Sequence, residues 1–360
     1  MSANRLNCII PPYLLNRLLD SENAEIRDAA LGTLLTTARL RGQREVRGLI
    51  ARAVAAPGDG RRTIFDCAHG TFLPFATLAR SEDDAPVADE SVNRAFDGFG
   101  VTRGFYREIF ERDSIDGRGM RLQGYVHRGD RYNNAFWDGQ EMVFGDGDGQ
   151  IFSDFTGSLD VIAHELAHGV TEHTANLEYR TQSGALNESC SDVAGSMVKQ
   201  WHLGQSADQA DWLIGPEVFT PGIDADALRS MKAPGTAFDN KLFGKDPQPD
   251  HMERYMDLPD TEEGDYGGVH LNSGIPNKAF YLVATGIGGN SWEAPGHIWY
   301  ESLKASTATT QFQEFADRTH AKAGELYGAG SAEQQAVADA WDEVGLRITP
   351  PPAAQAKPFS

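Results

Sequence analysis

The stretch from Asp160 to Asp192, DVIAHELAHGVTEHTANLEYRTQSGALNESCSD, constrains this chain more than any other. His164 and His168 stand four residues apart in a run of helix formers with no glycine or proline before Gly169. That spacing puts both imidazoles on one helical face, where they can take two corners of a zinc tetrahedron. Glu165 projects roughly 100° further round, toward the open side where a general base belongs. Asp160 suits the positive N-terminus of such a helix. A His-Glu-x-x-His pattern also arises in ordinary solvated helices, and a second segment lowers the odds of that reading. Glu188 and Asp192 are again four apart, so two carboxylates share a face. One can bind a metal while the other holds a ligand histidine by its far ring nitrogen. The HExxHxxGxxH variant is excluded, because Thr171 and Thr174 stand at its glycine and third histidine. His173 is one residue off and reads as a polar histidine at the helix end.

The chain has 360 residues, long enough for two domains and an appendage. Its formal net charge of −20, from 32 basic and 52 acidic residues, argues against nucleic acid and anionic membrane surfaces as partners. Cys8, Cys67 and Cys190 make no disulfide framework, and Cys190 reads as a small buried residue. No apolar run approaches a membrane span. The run Leu6–Leu15 is broken by Asn7 and Pro11-Pro12, so no clear secretory signal is read. The expectation is a cytoplasmic protein or one exported by another route.

Residues 1–58 read as a separate piece with a linker. An extended segment runs into a helix near Pro11-Pro12, followed by helical periodicity at Ile26, Ala29, Leu31, Leu34 and Leu35, and later at Val46, Leu49, Ile50 and Val54. Residues 61–159 read as mostly strand, with a helix near Glu90–Phe110. Gly145 to Gly149 suits tight turns better than a calcium loop. Residues 180–348 read as mostly helical, and 349–360 as a disordered tail.

These residues together resemble the thermolysin family of zinc metalloendopeptidases. Its motif is HExxH followed by GAxNExxSD, matched here by Gly184-Ala185-Leu186-Asn187-Glu188-Ser189-Cys190-Ser191-Asp192. The resemblance runs from about residue 60 to 348. Pro11-Pro12-Tyr13-Leu14 fits the PPxL-type motif of the protealysin-like branch, whose members carry a short propeptide. The fold implied is α+β in two domains: a β-rich part, 59–179, that includes the zinc helix, and a mostly α part, 180–348. The activity implied is neutral endopeptidase action on peptides by a self-processing proenzyme, with residues 1–58 as its own inhibitor. Rival readings are a catalytically silent binding protein and a zinc aminopeptidase. No ligand is lost and no GxMEN motif is present, which disfavours both.

The resemblance also implies roles. Zinc is held by His164, His168 and Glu188, Glu165 is the base, and Asp192 orients His164. Tyr179 and His270 stabilise the oxyanion, with Asp265 orienting His270. Asn134 and Ala135, in the edge strand of Tyr132–Phe144, bond the substrate backbone, and Arg229 holds a substrate carbonyl. Phe152, Phe155, Val161, Ile214, Val218 and Leu228 line the pocket for the residue after the scissile bond, so a bulky apolar residue is expected there. A double calcium site beside the zinc helix is expected to be replaced by Lys199 pairing with Asp160 and Asp211. A second site, at Phe219, Thr220, Ile223 and Asp226, is left with at most one weak calcium ion.

Overall fold

The computed structural model describes residues 7–51 and 59–349. Near the N-terminus lie strand β1 (Asn7–Cys8) and helices α1 (Pro12–Leu18) and α2 (Ala24–Ala51). Strands β2 (Arg62–Asp66) and β3 (Thr77–Ser81) lead to helix α3 (Glu90–Phe110). Strands β4 (Leu122–Val126), β5 (Ala135–Trp137) and β6 (Glu141–Phe144) then precede helix α4 (Leu159–Glu172). The six strands form one mixed sheet in the order β1-β5-β6-β4-β2-β3. Strand β1 pairs antiparallel with β5, so Cys8 stands opposite Phe136 and β5 is no longer an edge.

Helix α5 (Thr181–Leu203) packs along α4. The two backbones come close because Gly195 has no side chain; a Cβ there would stand 2.5 Å from the Asp160 carbonyl oxygen. Short pairs β7 (Leu213–Ile214) with β8 (Arg229–Ser230), and β9 (Asp239–Asn240) with β10 (Gly244–Lys245), lie in the long connection that follows. Helices α6 (Asp265–Asn272), α7 (Gly274–Ile287), α8 (Ala294–Ala305), α9 (Phe312–Tyr327) and α10 (Ala332–Glu343) complete the C-terminal half.

Three expectations need correction. Residues 61–159 are not mostly strand: their strands are three to five residues long, and loops anchored by Asx side chains fill much of the rest. Residues 204–264 hold no α-helix; side chains such as Asp246 and Asn240 bond that backbone instead. On α2, Leu31 and Leu35 are 47% and 64% exposed, while Ile26, Ala29, Ala30, Thr33 and Thr37 are buried. That helix docks partly through hydroxyls: Thr33 Oγ1 accepts from Asn133 N at 3.0 Å, and Thr37 Oγ1 lies 3.0 Å from Tyr132 Oη. The side chains of Val46, Leu49 and Ile50, all of Val54, and the expected tail from residue 350 lie outside what is described.

Candidate active site

Helix α4 is buried along nearly its whole length and carries His164, Glu165 and His168, with Glu165 bonded to β5. Helix α5 supplies Glu188 and Asp192 from its packed face. His164, His168 and Glu188 each offer a ligand atom within 4.8 Å of the others, the one such group of three or more histidine, cysteine or acidic residues among the described residues. His164 Nδ1 lies 2.8 Å from Asp192 Oδ1, and His168 Nδ1 lies 2.8 Å from Asn187 Oδ1. With protons fixed at Nδ1, both Nε2 atoms turn lone pairs inward, and they stand only 3.0 Å apart. Glu188 Oε2 is buried beside them without a hydrogen-bond partner. Two ring nitrogens converging with a carboxylate oxygen that has no hydrogen bond could hold a cation, and two imidazoles with one carboxylate fit zinc.

The other expected residues stand around this group. Glu165 Oε2 accepts from Trp137 N at 3.0 Å. Tyr179 Oη donates to Glu188 Oε1 and lies 3.1 Å from His270 Nε2. His270 Nδ1 is 2.6 Å from Asp265 Oδ1, and Asp265 Oδ2 accepts from the His270 backbone N–H at 2.8 Å. This double grip depends on a left-handed run, Asp265 (φ 52°), Tyr266 (φ 53°), Gly267 (φ 84°) and Gly268 (φ 75°), before helical geometry begins. The two glycines make that run tolerable. Burial alone would lower the His270 pKa, but Glu188 and Asp265 hold it above its ordinary value. Burial would likewise raise Asp192, yet Arg229 and His164 keep its carboxyl well below the usual range. Arg229 Nε and Nη2 each bond Asp192 at 2.8 Å.

Phe152, Phe155, Val161, Ile214, Val218 and Leu228, expected to line the pocket, are all fully buried in one core cluster. Asn134, just before β5, and Ala135, its first residue, accept from Ile10 N and Ile9 N of the N-terminal segment. Lys199 Nζ stands 2.9 Å from Asp160 Oδ2, 3.0 Å from Asp211 Oδ1 and 2.7 Å from the Leu213 carbonyl. Phe219 is buried against Phe152, Thr220 Oγ1 donates to the Gln150 carbonyl, and Asp226 is exposed. Sequence reasoning gave no role to Asn187 or Ser191, which both reach His168 Nδ1, although both sit inside the second motif. It also missed Asn277, whose Nδ2 donates to Asp192 at 2.8 Å. No local signal marks a residue 85 positions away.

Comparison with known proteins agrees with this geometry. The model described as "Thermolysin metallopeptidase, catalytic domain" matches residues 74–172, and "Thermolysin metallopeptidase, alpha-helical domain" matches residues 175–346. An extracellular metalloprotease of Pectobacterium carotovorum subsp. carotovorum is 47% identical over 350 residues, covering 97% of this chain and 99% of the relative. The chain belongs to the thermolysin family. Protease PrtS of Photorhabdus sp. (strain Az29) is 43% identical over 96% of this chain and 93% of its own length. A solved structure of the precursor of protealysin, a metalloproteinase from Serratia proteamaculans, superposes with a TM-score of 0.83 at 47% identity, covering 94% of this chain and 99% of the other. This thermolysin-family member is a zinc metalloendopeptidase with the family's two-part fold. Among the described residues no helix is long and apolar enough to cross a membrane.

Proposed function

We propose that the chain is a secreted proenzyme that cuts peptide bonds preceding bulky apolar residues, and that residues 1–58 are its inhibitor. Segment 7–10 carries this reading. It lies in the cleft as an added strand on β5 and uses groups expected to hold substrate. Ile9 N donates to the Ala135 carbonyl at 3.2 Å, Ile10 N to Asn134 Oδ1 at 3.0 Å, and Arg229 Nη1 to the Ile9 carbonyl at 3.3 Å. A peptide substrate cannot occupy β5 until this strand leaves. Secretion is supported by the Pectobacterium relative, which is named extracellular.

His164, His168 and Glu188 would hold zinc, which supplies Lewis acidity and an acidic bound water. Glu165 takes a proton from the attacking water and returns it to the leaving amine. Tyr179 and His270 donate to the oxygen that becomes negative, worth ~3–4 kcal/mol per donor in comparable sites. Asp192 fixes the tautomer of His164, and Asp265 that of His270. Lys199, Asp160 and Asp211 take the place of a double calcium site, and at most one weak calcium ion binds at the loop of Phe219, Thr220, Ile223 and Asp226.

Removal of the leader by the enzyme itself is expected before Leu49 or Ile50. A cut before Ile64 is disfavoured, because Ile64 is fully buried in β2 and paired on both sides by β3 and β4. An internally quenched peptide with an apolar residue after the scissile bond tests the reading on fresh and aged protein, with and without a zinc chelator. Turnover should rise with ageing, in step with loss of the leader by mass spectrometry, and vanish with the chelator. Equal N-termini in active and Glu165→Ala protein after incubation would remove the self-processing step.

A further inference from the structure

The leader occupies the cleft in one register, and that register singles out one bond. The carbonyl that meets His270 belongs to Cys8, with Nε2 to O at 3.1 Å. The next N–H, that of Ile9, donates to the Ala135 carbonyl. The next carbonyl, that of Ile9, accepts from Arg229, and the next N–H, that of Ile10, donates to the Asn134 side chain. Asn134 Nδ2 returns a bond to the Ile10 carbonyl at 3.4 Å. Each of these backbone groups from the Cys8 carbonyl to the Ile10 carbonyl thus meets a partner. Ile9 is fully buried in the core cluster that contains the expected substrate pocket. Pro11, with a φ of −64° and no N–H, then turns the chain out of the cleft into α1.

A dead-end inhibitor could run the opposite way along β5. This one does not: β1 is antiparallel to β5, and the Cys8 carbonyl faces His270. We infer that the leader is bound as a substrate, and that Cys8–Ile9 is the peptide bond it presents for hydrolysis. This rests on the leader being the inhibitor and adds how it is cleared. Water adds to the Cys8 carbonyl carbon and the C–N bond to Ile9 breaks. Cys8 keeps the new carboxylate, and the Ile9 nitrogen, receiving both protons of the water, leaves as an ammonium group. Glu165 carries the first of those protons. Loss of the segment ending at Cys8 removes the β1–β5 pairing and the His270 contact. Arg229, Asn134 and the docked helices still hold the rest, so this cut loosens the leader and precedes its release.

The test uses the full chain loaded with zinc. Intact-mass and N-terminal sequencing over time should show a chain beginning at Ile9, formed at a first-order rate that is unchanged on tenfold dilution. It should be absent in Glu165→Gln protein. Ile9→Asp should slow this cut at least ~100-fold, and Ile9→Leu should retain it. A readout independent of turnover is hydrogen exchange in the Glu165→Gln chain: the Ile9 and Ile10 amides should be protected, and Ile9→Asp should release both. If the leader silences the enzyme but no Ile9 terminus forms, or these amides exchange freely, the register is wrong and the inhibitory reading stands. If the uncut chain already turns over the quenched peptide, both fall.

Discussion

The ammonium of Lys199, on α5, lies 2.9 Å from Asp160 Oδ2 on the first turn of the zinc-site helix, with Asp160 fully buried. Burial opposes the charge on Lys199, but Asp160 and Asp211 raise its pKa, so the cation persists. A side-chain cation here ties the start of α4 to α5 and to the Leu213 loop, as a bound divalent ion would. Lys199→Met leaves Asp160 buried without its charge partner, and a loss of ~3–5 kcal/mol is expected. Urea denaturation of zinc-loaded protein measures it. Lys199→Glu should make stability depend on calcium, while the unmutated protein should tolerate a calcium-selective chelator. A steep loss of stability in that chelator at full zinc occupancy would remove the lysine account.

Glu165 lies beside the metal group but outside it, with Oε2 accepting from Trp137 N. Glu165→Ala should therefore lose ~10²–10⁴-fold or more in turnover while retaining zinc by elemental analysis. His168→Ala should lose both. Substantial turnover by the Glu165 variant would transfer the base role elsewhere.

Phe155 lies beside Phe152, ring centroids 6.0 Å apart, both fully buried and both expected in the pocket wall. Two facing phenyl groups leave less room than a phenyl and an isobutyl group. Phe155→Leu should shift preference after the scissile bond from leucine toward phenylalanine, by ~10-fold in the ratio of kcat/KM values. An unchanged ratio in paired quenched peptides would place Phe155 outside the specificity pocket.

What could be read from sequence follows from how local the determining physics is. Helical spacing alone puts His164 with His168 and Glu188 with Asp192 on shared faces, and both pairs sit so in α4 and α5. The segment Asp265–Asn272 announced itself by Gly267-Gly268, although nothing local showed that Asp265 and Tyr266 would also adopt left-handed geometry. The shell around the site was less legible. Asn277 and Arg229 converge on Asp192 from distant elements, and no spacing rule links them. The connection after α5 gave neither period, because its backbone is satisfied by Asp246 and Asn240 side chains. Leu31 and Leu35 misled the reading of α2, whose docked face includes two threonine hydroxyls that periodicity of apolar residues ignores.

A histidine between two carboxylates lies away from the metal group. His127, just after β4, places Nδ1 2.9 Å from Asp146 Oδ1 and Nε2 2.9 Å from Asp89 Oδ2. Asp89 also caps α3 by accepting from Ser91 N and Val92 N, so the imidazole joins that helix to the loop after β6. The exposed His69 stands 3.4 Å from the other oxygen of Asp146. Only the imidazolium donates from both ring nitrogens at once. The bond to Asp146 does most to raise the His127 pKa, burial opposes it, and Asp89 adds to the rise, bringing it to about 9. A folded pKa above the ordinary value near ~6.5 means the contribution is whole below that pH and is lost as pH climbs through about 9. The ring is partly exposed, so ~1 kcal/mol or less is expected. His127→Asn is the apt control, since asparagine tolerates the left-handed φ of 53° at this position. In a Glu165→Ala background that prevents self-digestion, thermal unfolding midpoints at about pH 6.5 should be lower in His127→Asn. By about pH 10 the two proteins should converge, because the parent has lost what the variant never had. A gap that stays constant across that range would show that His127 contributes by packing rather than by its charge.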